Sequence, residues 1–433
     1  MIRQLCSYCH SFVKLRILFI VLIYISFACS GSSRQIRPEK SEKKIVYGNV
    51  LESLQSFDFE NIKSESMDLF ESSLFKSIQY ISDFNLTSAE NSLKELLNTV
   101  SDSTKRFIVK KLLVDLFFFK NDWLSIINLD TLYHANNKEE NPLELVEAFS
   151  KLENETISFL SDSAKIKYEK SHSGTPILEV FVNGMLRYFW FDTGANYTVI
   201  ASDIARESNI KPIKLKSSKA LTATSVQINV LPTVLNEFRI GNLEILNHPA
   251  IIADESDLKL RLFGSNRITK VDGIIGWKAI QKMDITFYDN TSEAIIRKPK
   301  IDSTTSRNLF WLGIPFIKIY SEDNIPLIFG LDTGSEKSSI TSNIFKKVKY
   351  DEIYSLTKKI NSAGGWTFSE SKNISRLSVK IDNKNIDFTD IGTTFTHQKL
   401  FIKLDGIIGV DLFNKNNVRI DILNGRFKIG NKN

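Results

Sequence analysis

The stretch FDTGANYTVI, residues 191–200, ends an apolar run on Asp192 and turns on Thr193 and Gly194. A carboxylate in an apolar setting is costly unless it is paired or its pKa moves, so Asp192 calls for a partner. One stands 332 − 192 = 140 positions on, where LIFGLDTGSEKSSI again closes an apolar run, Leu327 to Leu331, on Asp332, Thr333 and Gly334. Two carboxyls within hydrogen-bonding distance cannot both ionise cheaply, so they share a proton. The ionised one is then a base and its partner an acid toward the same reacting group. Gly194 and Gly334 suit such a pair, since a residue without a Cβ lets backbone amides come close to a carboxylate.

The elements that would position these residues repeat as well. VDGIIGWKAI (Val271 to Ile280) is echoed by LDGIIGVDLF (Leu404 to Phe413), each following its own Asp-Thr-Gly, at offsets of 272 − 192 = 80 and 405 − 332 = 73. Self-similarity in a fixed order marks an internal duplication. The texture of both copies is β. PILEVFVNGMLRYFWF sets Asn183-Gly184 between alternating, aromatic-rich runs, a hairpin signal, and FIKIY and PLIFGL flank SEDNI in the second copy. Short helical segments, ASDIARES and SNIFKKV, follow each Asp-Thr-Gly. Asp272-Gly273 and Asp405-Gly406 read as turn residues with Ile274-Ile275 and Ile407-Ile408 as core, and Trp277 and Trp366 read as packing or flap residues.

This order, an apolar run, Asp-Thr-Gly with Ala195 or Ser335 next, a β excursion and then hydrophobic-hydrophobic-Gly, resembles the aspartic proteases; the DGIIG repeats are most similar to bacterial retropepsin-type members. The resemblance covers residues 165–433. It implies a mainly β fold of two tandem retropepsin/pepsin-like β-barrel lobes with pseudo-twofold symmetry, residues 165–300 and 310–433, and peptide-bond hydrolysis by carboxylate-activated water. Asp192 and Asp332 would be the catalytic dyad, supported by Thr193, Gly194, Ala195, Thr333, Gly334 and Ser335. The resemblance has the two threonines bonding across the lobe interface, and the plainer reading is a turn hydroxyl that satisfies local backbone. The Ser335 hydroxyl, where the first copy has Ala195, would donate to Asp332 and favour its charged form, leaving Asp192 as the proton holder. No cofactor is implied. With both halves in one chain, a monomer with intramolecular lobe pairing is expected, acting on a peptide or unfolded protein substrate. A catalytically inactive peptide-binding or scaffold lipoprotein on the same fold is the alternative.

Other chemistries lack their residues. His10, His134, His172, His248 and His397 are scattered without metal-ligand spacing, so no metal site is expected. Neither a Gly-x-Ser-x-Gly elbow nor a Gly-x-x-x-x-Gly-Lys-Ser/Thr loop is present. A net charge of +6 over 433 residues, with no interleaved basic and aromatic stripe, does not point to nucleic acid.

The amino terminus suggests an address. Arg3, Lys14 and Arg16 precede an apolar run from Ile17 to Ala28, the form of a secretory signal too short to span a bilayer unaided. SFACSGSS resembles a bacterial lipoprotein cleavage box, with residues 1–29 as signal, Cys29 as the lipidated residue and 30–63 as tether; an uncleaved signal anchor is the alternative. All three cysteines, Cys6, Cys9 and Cys29, fall at or before that point. The expected location is the bacterial cell envelope, exported and bound to the membrane through the lipid anchor. Residues 64–161 carry apolar positions at helical spacing. An offset of 34 there aligns Phe84 with Phe118, Ala89 with Trp123 and Leu93 with Ile127, which resembles tetratricopeptide-like hairpins.

Overall fold

The structure, a computed structural model, describes residues 49–60, 62, 67–129, 142–215, 219–221, 227–258, 260–261, 268–269, 271–302, 306–350, 353–362, 365–394 and 400–430. Cys29, the signal and most of the tether lie outside them, as does the side chain of Trp366. Among the described residues no helix is long and apolar enough to cross a membrane.

Among the described residues six helices come first: α1 (Val50–Gln55), α2 (Leu69–Ser82), α3 (Leu86–Thr99), α4 (Ser103–Lys120), α5 (Trp123–Leu129) and α6 (Pro142–Phe149). Their starts follow capping chemistry. Asp68 and Glu71 form a reciprocal capping box at α2, and the Asn85 and Asp102 side chains accept the amides of Ser88 and Lys105. Leu74, Ile78 and Ile81, then Ala89, Leu93 and Leu96, then Val109, Leu112 and Leu116 are buried at helical spacing and form one apolar seam. Two limits differ from the sequence reading. Helix α1 lies inside the stretch read as tether, started by the Asn49 side chain. Strand β1 (Thr156–Phe159) lies inside the stretch read as helical, because its short run pairs edge-on with a later strand, Phe159 opposite Leu243.

The first copy continues with β2 (Ser163–Lys170), β3 (Pro176–Val182), β4 (Met185–Phe191), β5 (Thr198–Ala201), α7 (Ser202–Glu207), β6 (Lys219–Leu221), β7 (Gln227–Ile240), β8 (Leu243–Ala253), β9 (Leu260–Arg261), β10 (Ile268–Thr269), β11 (Gly273–Ile275), α8 (Trp277–Ile280), β12 (Asp284–Tyr288) and β13 (Glu293–Arg297). Asn183 and Gly184 turn the β3–β4 hairpin with φ of 49° and 77°, the left-handed pair that a two-residue hairpin needs. Strands β3, β4, β11, β5, β8 and β7 are neighbours in that order, and pairing of β3 with β7 closes them into a barrel.

The second copy has β14 (Leu309–Trp311), β15 (Pro315–Ser321), β16 (Pro326–Leu331), β17 (Ser339–Ile340), β18 (Ile353–Ser362), β19 (Gly365–Ile381), β20 (Lys384–Gly392), β21 (Gly406–Ile408), β22 (Asn417–Asp421) and β23 (Arg426–Gly430). Its sheet runs β17-β21-β16-β15-β19-β18, with β14 on β15 and β20 on β19. The two lobes share one central device. β11 lies parallel to β4, with Ile275 opposite Phe191, and antiparallel to β5; β21 lies parallel to β16, with Ile408 opposite Leu331, and antiparallel to β17. The chain is therefore mainly β, two tandem lobes behind a helical region. The last two strands cross over: β22 pairs with β12, Asp421 opposite Asp284, so the C-terminal hairpin extends the sheet of the first copy.

Gly273 and Gly406, read as turn residues, instead open strands β11 and β21. Each lies under a phenylalanine of the neighbouring strand, so a Cβ on Gly273 would clash with the Phe189 ring and the Val199 carbonyl, and one on Gly406 with the Phe329 ring and the Ser339 carbonyl. Packing, and not turn geometry, selects glycine there.

Candidate active site

Strands β4 and β16 deliver Asp192 and Asp332 to the tips of two facing loops. Each loop is tied to its own lobe by the strand that carries Gly-Ile-Ile: the Asp192 amide donates to Ile275 O at 3.1 Å and the Asp332 amide to Ile408 O at 3.0 Å. Trp277 N donates to Ala195 O at 2.7 Å, and Val410 N to Ser335 O at 2.8 Å. The two loops are then tied to each other. Thr193 N donates to Thr333 Oγ1 (3.0 Å) and Thr333 N to Thr193 Oγ1 (2.9 Å). The hydroxyls reach on across the interface, Thr193 Oγ1 to Leu331 O (2.9 Å) and Thr333 Oγ1 to Phe191 O (2.7 Å). Both threonines are fully buried, so these four bonds satisfy groups that would otherwise be orphaned. The cross-lobe reading of the threonines describes the geometry, and the local-turn reading does not.

Each carboxylate is cradled from its own loop. Gly194 N donates to Asp192 Oδ1 at 2.8 Å and Gly334 N to Asp332 Oδ1 at 3.0 Å. The glycines also face the opposite acid. A Cβ on Gly334 would sit 2.6 Å from Asp192 Oδ2, and one on Gly194 2.6 Å from Asp332 Cγ. The Ser335 hydroxyl donates to Asp332 Oδ2 at 2.8 Å, and Ala195 supplies no such donor to Asp192. Burial, then the charge of Asp332 and a hydrogen bond to it, push the Asp192 carboxyl up to about 7. Two carboxyls therefore face each other across the lobe interface, one raised by burial and the other supported by a hydroxyl donor.

Several supporting residues were not singled out in the sequence. Behind the Asp192 loop, His248 takes Thr198 Oγ1 at Nε2 (2.7 Å) and Glu155 at Nδ1 (2.6 Å), and Lys282 reaches the other Glu155 oxygen at 2.5 Å. Burial works against the Glu155 charge, but the His248 hydrogen bond and the neighbouring positive groups hold it down to about 2. Asp405 is fully buried, accepting from Ile328 N (2.9 Å) and Lys347 Nζ (2.7 Å). Trp277 is buried as packing. Lys278, next to it, is buried with its Nζ on the Phe118 carbonyl, and the signal that could have found it was a mismatch between the copies, Trp-Lys after Gly-Ile-Ile-Gly in one and Val-Asp in the other.

Residues 178–279 match the family model for aspartyl proteases. Among solved structures the chain is similar to a retropepsin-like aspartic protease from Rickettsia conorii, 17% identical, with 34% of this chain and 94% of that chain covered and a TM-score of 0.21. No curated protein sequence matches the chain.

Proposed function

We propose that this chain, a retropepsin-like aspartyl protease by its family match and its paired Asp-Thr-Gly loops, is an endopeptidase that hydrolyses peptide bonds with Asp192 and Asp332 acting as one dyad within one molecule. The observation that carries this reading is the reciprocal Thr193–Thr333 bonding, which fixes two acids from distant parts of the chain across one interface. Water bound between the carboxyls loses a proton to Asp332 as its oxygen attacks the scissile carbonyl carbon, while the Asp192 proton goes to the carbonyl oxygen. The tetrahedral intermediate then returns that proton, the nitrogen takes the one held by Asp332, and the C–N bond breaks. Both carboxyls end as they began. Lipidation at Cys29 would place the enzyme at a bacterial cell envelope, facing peptide or unfolded protein substrates.

The test is incubation of an unstructured protein with the purified chain from acid to neutral pH, with and without a peptide that mimics the tetrahedral intermediate, the products being mapped by mass spectrometry. Internal cleavage suppressed by the mimic supports the reading. Tight binding of the mimic without cleavage would replace it with the peptide-binding alternative.

A further inference from the structure

The two copies brace their aspartate loops differently. Thr198 and Ser338 each lie six residues past their aspartate, and Lys278 and Asp411 each lie two past the glycine that ends Gly-Ile-Ile-Gly. In the second copy these positions meet: Asp411 Oδ1 accepts from Ser338 N (2.9 Å) and Ser338 Oγ (2.7 Å), and Gly409 N donates to Ser338 Oγ (3.0 Å). That loop is closed by its own repeat. In the first copy Thr198 turns to His248, and Lys278 turns away from the loop toward the helices.

Lys278 is buried, and its Nζ donates to Phe118 O in the last turn of α4; burial, and then the neighbouring Lys282 charge, hold its pKa well below the usual lysine range. It lies 3.9 Å from the Phe118 ring centre and 4.8 Å from that of Trp123. Gln281 Nε2 donates to Phe119 O at 3.1 Å. Phe118 O also accepts the Asn121 amide at 3.1 Å, and its second lone pair, at the negative end of the helix dipole, takes the Lys278 N–H between two aromatic faces, so this is a fitted socket for a hydrogen-bond donor. The backbone of the same residue faces the other way, Lys278 N donating to Asn196 O at 3.2 Å beside the Trp277 bond to Ala195 O. Next to it the Tyr197 ring, from the Asp192 loop, packs 5.4 Å from Phe118 and 5.4 Å from Phe149. Phe118 also stacks on Trp311 of the second lobe at 5.8 Å, so the end of α4 touches both lobes.

We infer that the helical region is part of the active site's framework: Lys278 is a positioning residue that ties the C-terminal turn of α4 to the loop carrying Asp192, so the registration of that carboxyl against Asp332 depends on the helices. The inference rests on the dyad reading, and its test separates the two. In the full-length chain, Lys278→Met keeps an unbranched apolar stem and removes the donor, and Gln281→Ala removes the weaker tie. Lys403→Met breaks an exposed ion pair from the helical region to the second lobe, the Lys403–Glu52 contact, and serves as control. Lys278→Met should lower kcat per folded molecule roughly tenfold to a hundredfold, with KM changed less than about threefold, as expected for a misplaced reacting group. Amide exchange should quicken in residues 192–198 and stay unchanged in 332–338. Gln281→Ala should move both readouts the same way by less, and it decides the matter should Lys278→Met fail to fold; Lys403→Met should move neither. Wild-type kcat and wild-type exchange in 192–198 for the folded variants would overturn the inference. A wild-type chain that cleaves nothing would sink the protease reading instead, and the exchange comparison would still decide the brace.

Discussion

The loop from Asp192 to Thr198 and the loop from Asp332 to Ser338 have the same backbone anchoring and opposite dependence on the rest of the molecule. Away from the lobe interface the second is held by residues of its own repeat, with Ser338 on Asp411 and Ser335 on Asp332. The first relies on groups from outside the repeat: Glu155 behind His248, and the α4 carbonyl that receives Lys278. Where the lobes face each other they are nearly symmetric, because reciprocal threonines and glycines leave little room for variation. Where they face away they diverge, because the first loop leans on the helices through Lys278, while the helices meet the second lobe at Trp311 and Lys403. A duplicated fold thus keeps symmetry at the interface between its two aspartate loops and spends its freedom on the outer supports.

The largest effect should appear where the lobes are alike. Gly194→Ala and Gly334→Ala each push a methyl group into the opposite aspartate, and each should cost roughly a thousandfold or more in kcat/KM, since a displacement near 1 Å already costs about a hundredfold. Unequal losses, measured by steady-state kinetics, would break the symmetry argued for the interface. Next comes a difference between the lobes. Lys347→Met leaves Asp405 charged and buried without its cation, which should cost about 3–5 kcal/mol of stability near neutral pH. Burial pushes the Asp405 carboxyl up even with Lys347 present, so the cost should shrink as pH falls and the acid takes a proton. Asp272, the partly exposed counterpart whose Oδ2 accepts Tyr188 N at 2.9 Å, should cost only about 1 kcal/mol on replacement by Ala. Denaturant unfolding at several pH values measures both.

The smallest effect tests the chemical asymmetry. Ser335→Ala removes the donor to Asp332 Oδ2, a bond worth about 1 kcal/mol, and should raise the acidic limb of the pH–rate profile by a fraction of a unit. The opposite limb should stay where the Asp192 proton is lost, at about 7. An acidic limb that does not move would show that Ser335 is not part of the dyad's support.

Much of the site was legible because its signals are local and occur twice. Asp-Thr-Gly after an apolar run, the Asn183-Gly184 turn and the Gly-Ile-Ile strands each carry a short-range reason for their form. What was not legible depends on distant partners. Nothing near Lys278 says that a helix ending at Lys120 will offer it the Phe118 carbonyl, and Glu155 lies in a stretch whose charge could as well have been solvated. Gly273 and Gly406 were misread as turn residues because a glycine selected by a ring overhead looks, in sequence, like one selected by φ. The pairing of β22 with β12 could not be foreseen either, since alternation marks a strand without naming its neighbour.

The central claim, that Asp192 and Asp332 act as one unit, is tested most directly by kcat for Asp192→Asn, Asp332→Asn and the double variant in the full-length chain. Native folding can be checked in the same samples. Raising the Asp192 carboxyl to about 7 removes stability as pH climbs from its unfolded value of 3.8 through that point, so Asp192→Asn should unfold at higher temperature than wild type above pH 7 and lose that advantage below 3.8. Each single variant should lose roughly a thousandfold or more in kcat, and the double variant should be no worse than either, the non-additivity of groups that act together. A single variant that keeps substantial activity, or losses that multiply in the double, would contradict the account.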